Sequence, residues 1–120
     1  MDAVATFTEH ADHLLCEISG RYSRSDSFRI VDELLSECRA RKQTCALVDL
    51  RQVRDDIPTI DRYALGVYCA EKLGNVIRLA VVCRAECINW FFESVALNRG
   101  LATRVSDDVL GSQRWLRSAA

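Results

Sequence analysis

The residues of this chain best suited to chemistry fall in two short stretches. In the first, the apolar run Cys45-Ala46-Leu47-Val48 stops at Asp49-Leu50-Arg51, and Arg54, Asp55 and Asp56 follow. Carboxylates and guanidinium groups set side by side can hold a polar ligand or move a proton. In a solvated loop they equally well pair with one another. In the second stretch, Cys83-Arg84-Ala85-Glu86-Cys87 is followed by Asn89. A thiol beside an arginine at a helix start is a setting that lowers a cysteine pKa and makes it nucleophilic. Asp49, Arg51, Arg54, Asp55, Arg84 and Asn89 are the candidate binding residues on this reading.

Other chemistries lack their parts. Cysteines stand at 16, 38, 45, 69, 83 and 87, and only the last two form a close pair. A four-ligand zinc site calls for a second such pair, so no metal is expected. His10 and His13 flank Asp12 and read as a solvated hairpin tip. The chain has no glycine-rich phosphate loop, nucleophile elbow or metal-binding helix motif. No catalytic residue and no cofactor are assigned, and a binding role is expected ahead of an enzymatic one.

The elements that must position these residues follow from composition and period. A chain of 120 residues makes one domain, here 1–120. Its net charge is −1 with both signs interspersed, which leaves no footprint for nucleic acid. No apolar run is long enough for a membrane span. Met1-Asp2-Ala3-Val4-Ala5-Thr6 has neither the basic head nor the apolar core of an export signal, so a cytoplasmic chain with reduced cysteines is expected.

Alternation predicts strands over 4–9 and 14–19, joined as a hairpin. Ser25 or Asp26 is the expected cap of a first helix whose stripe is Phe28, Val31, Leu34, Leu35 and Cys38. Apolar runs at 44–50 and 77–83 read as strands buried on both faces, with helices between them making parallel crossovers. A helix is expected over 58–73, from Pro58 to the stop at Gly74-Asn75, and another over 86–99. A short strand at 102–105 and a final helix capped by Ser106 complete the order ββαβαβαβα. This is an α/β domain with a mixed, mostly parallel sheet. Sites in such sheets lie beyond the carboxyl ends of the strands.

The helix at 58–73 is unusual. Tyr63-Ala64-Leu65-Gly66-Val67-Tyr68-Cys69-Ala70 carries no charge over two turns, whereas a helix on a sheet needs one apolar stripe. Another helix, a ligand or a second subunit must cover the other side. Tyr63, Leu65, Val67 and Tyr68, with Trp90 from the next helix, are the expected interface. The partner would be a second copy, another protein, or an apolar ligand in a pocket lined by this helix. Gly66 marks a close approach by whatever packs there.

The element order and its opening hairpin resemble the STAS domain. Ala46-Leu47-Val48-Asp49-Leu50, Ile77-Arg78-Leu79-Ala80-Val81-Val82, and Val105-x-x-Asp108 followed by Trp115-Leu116 carry the likeness. The latter half resembles a divergent, stand-alone bacterial branch that shares features with Sec14-type lipid-binding domains. The resemblance implies a regulatory protein-interaction module. Its antagonists carry a phosphorylated Ser or Thr just after the third strand, but here Asp49 is followed by Leu50 and Arg51. Thr59 is the remaining candidate acceptor. Val81-Val82-Cys83-Arg84 faintly resembles a rhodanese-type sulfurtransferase loop, which would make Cys83 a persulfide carrier. That loop needs glycines, and Arg84-Ala85-Glu86-Cys87 has none.

Overall fold

The computed structural model describes residues 3–118. Strands β1 (Val4–Glu9) and β2 (Leu14–Gly20) form the hairpin. Helix α1 (Arg24–Ala40), β3 (Cys45–Val53), α2 (Thr59–Leu73), β4 (Arg78–Val82), a 3-10 turn (Ala85–Cys87), α3 (Phe91–Asn98), β5 (Thr103–Ser106) and α4 (Val109–Arg117) follow. The five strands lie in sequence order in one sheet, with β1 antiparallel to β2 and the other pairs parallel.

The apolar periodicities explain the layers. Helices α1, α2 and α3 cover one face of the sheet, and α4 covers the other. The larger core joins Leu14, Cys16, Leu34, Leu73 and Leu79 under the three helices. A smaller one joins Leu47, Ala80 and Val82 to Leu116 of α4. Arg78 closes the smaller core: its guanidinium lies 3.7 Å over the Trp115 ring and donates to the Trp115 carbonyl at 3.0 Å.

Helix starts differ from the expected ones, each for a hydrogen-bonding reason. Ser23, not Ser25 or Asp26, caps α1, its Oγ accepting from the Asp26 amide at 3.2 Å. Asp108, not Ser106, is the cap residue of α4; the Ser106 hydroxyl instead accepts from the Asp108 amide and pairs with Ser112. The third helix begins at Phe91, five residues later than expected from 86. Asn89 Oδ1 accepts the Phe91 amide at 3.1 Å, and this local turn replaces a helical first turn.

Strand β3 runs three residues past Leu50. Between Glu17/Ser19 of β2 the register shifts, with Glu17 opposite Asp49 and Ser19 opposite Gln52, so β3 holds one extra residue. Such a bulge frees an amide from the ladder. The Arg51 amide is satisfied by Asp49 Oδ1 at 3.0 Å.

Candidate functional site

The α1–α3 layer does not close completely on the sheet. A cavity of about 160 Å³ lies between them. Its floor is Val48 and Leu50 of β3 and Leu79 and Val81 of β4. Its roof is α1 and α2, through Leu34, Leu65 and Cys69. The polar residues that line it, among them Tyr22, Asp55, Asp56, Arg62, Arg84 and Asn89, come from the segments that follow β2, β3 and β4. The mouth is therefore at the carboxyl end of the parallel strands, where the topology places a site.

Arg62 builds that mouth. Its side chain is only 13% exposed. It donates to the carbonyls of Ile57 at 2.8 Å and Cys87 at 3.0 Å, and stands 3.5 Å from Asp56. One guanidinium thus ties the loop after β3 to the turn after β4. Asp61, buried beside it in the chain, accepts a 2.6 Å hydrogen bond from the Tyr22 hydroxyl and pairs with Arg24 at 3.5 Å. Burial, and then the carboxylate of Asp61, push the Tyr22 hydroxyl up to about 12.

Of the six candidate binding residues, the fold brings Asp55, Arg84 and Asn89 to the cavity. Asp55 pairs with Arg21 at 3.4 Å. Arg54 is exposed and does not line it. Asp49 and Arg51 do not line it either. Asp49 alternates with Val48 and Leu50, so it projects from the opposite face, the one that holds Leu47. There Arg51 binds it through Nε at 3.0 Å and Nη2 at 2.8 Å. Burial opposes the Asp49 charge, but the Arg51 contacts outweigh it and hold the carboxyl below its ordinary value. The pair secures the bulge and lies on the sheet face away from the cavity.

The uncharged stretch of α2 is covered largely by its own chain. Gly66 meets α3, where an added Cβ would lie 2.8 Å from Val95 Cγ1 and 3.2 Å from the Phe92 carbonyl. On the other flank Tyr68 packs against Phe28, ring centres 4.9 Å apart, and donates to Asp32 at 2.7 Å. Leu65 is buried against the cavity and so is not free to meet a partner, whereas Val67 and Tyr68 are half-buried. Tyr63 and Trp90 are exposed. With Ile60 and Phe91 they give an apolar surface at the starts of α2 and α3, the Tyr63 and Phe91 rings 6.2 Å apart. Thr59 is exposed as the first residue of α2.

The nucleophilic setting weighed for Cys83, and set below a binding role, is not supported. Cys83 is 8% exposed, and burial, then the neighbouring Cys87, push its thiol up despite Arg62 and Arg84. Arg84 turns instead to Cys87, its Nη2 3.4 Å from Sγ. All six cysteines are free thiols. His13, expected at a solvated tip, is buried, stacked on His10 at 4.7 Å and bound to Asp12 at 2.8 Å.

Sequence reasoning passed over Arg62 and Asp61. The signal was present: positions 62, 65, 69 and 73 fall on one helical stripe, and a charge on a core-facing stripe must be paired.

This geometry defines an α/β domain of STAS-like fold. No protein-family model matches the chain, and no curated protein matches it in sequence. Solved structures do match over nearly its whole length. An anti-sigma factor antagonist from Mycobacterium paratuberculosis superposes with a TM-score of 0.68 at 14% identity, covering 97% of this chain and 95% of that one. A protein of the DUF3478 family with a SpoIIAA-like fold, from Shewanella loihica PV-4, gives 0.61 at 17% identity over 95% and 93%. RsbS of Moorella thermoacetica, with one serine replaced by glutamate, gives 0.60 at 14% identity over 94% of each chain.

Proposed function

We propose that this chain is a non-enzymatic, STAS-type regulatory module that works by binding a small apolar ligand. The observation that carries this reading is the cavity at the carboxyl end of the sheet, walled by α1, α2 and the strands. The fold adds support, since one similar structure is an anti-sigma factor antagonist. Binding is favoured over catalysis because Arg62 at the mouth is tied to backbone carbonyls and Asp55 to Arg21. Native mass spectrometry of freshly purified protein tests it. A co-purified small molecule, or a rise in melting temperature with short apolar compounds, is the expected result. Repeated absence of both removes the reading.

A second role, docking to a protein or to another copy of this chain, is favoured by the exposure of Ile60, Tyr63, Trp90 and Phe91. Concentration-dependent sedimentation that Trp90→Glu abolishes is expected for a homodimer. A monomer at all concentrations counts against it. In this role Thr59, exposed at the edge of the same surface, is the hydroxyl whose phosphorylation would alter docking.

A further inference from the structure

The cavity also carries a specificity, and this inference rests on the ligand-binding reading above. We propose that it takes a small anionic amphiphile: a carboxylate on an apolar body of roughly six carbons, the body under α2 and the carboxylate on Arg84.

Volume sets the body. About 160 Å³ is close to the engineered apolar cavity of about 150 Å³ that accepts benzene. A membrane-lipid chain is far too large for it. The inner walls, such as Leu65, Leu73, Leu79 and Val105, bear no polar side-chain atom to hold a head group. Any polar end of the ligand must therefore face the mouth.

The state of the mouth's own groups sets the head. The Tyr22 hydroxyl is given to Asp61, and Asp55 is paired with Arg21. Arg62 is spent on two carbonyls and Asp56, and Asn89, its Oδ1 taken by the Phe91 amide, offers only a neutral amide donor. Arg84 differs. Its Nη2 reaches only the Cys87 sulfur, and its Nε is shut off from solvent with no hydrogen-bond partner. Glu86 stands 3.6 Å from that Nε, but the two side chains are 39% and 73% exposed for Arg84 and Glu86, and so solvated a pair holds the arginine weakly. A charged donor whose present partners are weak has the most to gain from an incoming charged acceptor. The planar guanidinium fork matches a carboxylate better than a hydroxyl.

The test titrates the full chain with hexanoate, 1-hexanol and hexadecanoate, followed by proton–nitrogen NMR and thermal melts. Hexanoate is expected to bind about tenfold tighter than 1-hexanol, a difference set by the charge-assisted contact. Amides of Leu65, Cys69 and Arg84 shift, and hexadecanoate does not compete. Arg84→Gln brings hexanoate to the level of 1-hexanol. Equal affinity of the wild-type protein for both overturns the carboxylate assignment while the apolar-cavity reading stands. Binding of neither overturns both readings. Tighter binding of hexadecanoate than hexanoate overturns the size limit. The wild-type comparison decides the matter even where Arg84→Gln does not fold.

Discussion

At the scale of single residues, the charges flanking the parallel strands divide by the face they occupy. Asp49 sits in a strand, buried, and its carboxylate accepts from the Arg51 amide and side chain. Its folded-state pKa is depressed, with burial opposing and Arg51 prevailing. The stability it contributes is therefore fully present above its unfolded value of about 4. That contribution is lost as pH falls through the lower folded value. Asp49→Asn is expected to cost about 1–2 kcal/mol at neutral pH. It should also flatten the loss of stability below pH ~4. Urea melts at neutral and acid pH measure both effects, and an unchanged acid limb would show that the pair is idle. The thiols divide in the same way. Cys16, Cys69 and Cys83 are buried with raised pKa values, whereas Cys87 is half-buried beside Arg84. Alkylation of the folded protein followed by peptide mass mapping is expected to label Cys87 well before these three. Early labelling of Cys83 would revive its candidacy as a nucleophile.

At the scale of elements, α2 is fixed by how closely α3 approaches it. Gly66→Ala gains about 1 kcal/mol of helix propensity. The new Cβ, however, meets a stiff β-branched Val95 and the Phe92 carbonyl. The helices must part, and a net loss of about 1–2 kcal/mol is expected. Val95→Ala should recover part of it in the double variant, and additive losses in thermal melts would exclude the clash. Sequence reasoning reached this contact from Gly66 alone, because a helix-breaking residue inside an apolar helix has few other uses. It reached the order of all nine strands and helices for a similar reason: each has its own apolar period. It failed where one side chain redirects the backbone. Asn89 takes the Phe91 amide and delays α3. The bulge in β3 keeps Asp49 and Arg51 inside the strand, where alternation turns Asp49 away from the cavity. An Asp ending an apolar run looks like the end of a strand, and nothing local reveals the extra residue that carries the strand onward. The cavity itself was anticipated only as one of three ways to cover α2. Volume left between a helix layer and a sheet is a sum over many side chains and has no short motif.

At the scale of the whole molecule, the cavity is a destabilising feature that a purely structural domain would lose readily. Space of about 160 Å³ between the helix layer and the sheet leaves its apolar lining without the contacts that a filled core would make. A ligand reverses this by mass action, adding about 2.7 kcal/mol at a hundred times its dissociation constant. Cys69 tests the balance, since it is buried in the middle of α2 and lines the space. Cys69→Leu keeps the helix and fills part of the void. It is expected to raise ligand-free stability by about 1 kcal/mol, or about 4 °C in melting temperature. In return it should abolish the stabilisation that short apolar compounds give the wild-type chain. The two effects have one cause, so they must appear together. A Cys69→Leu protein that melts lower than wild type would mean that the helices and sheet have no room for two more heavy atoms. A variant that melts higher and still responds to ligand would place binding elsewhere on the surface. Only the trade of ligand response for stability is what a domain built around an unfilled space must show.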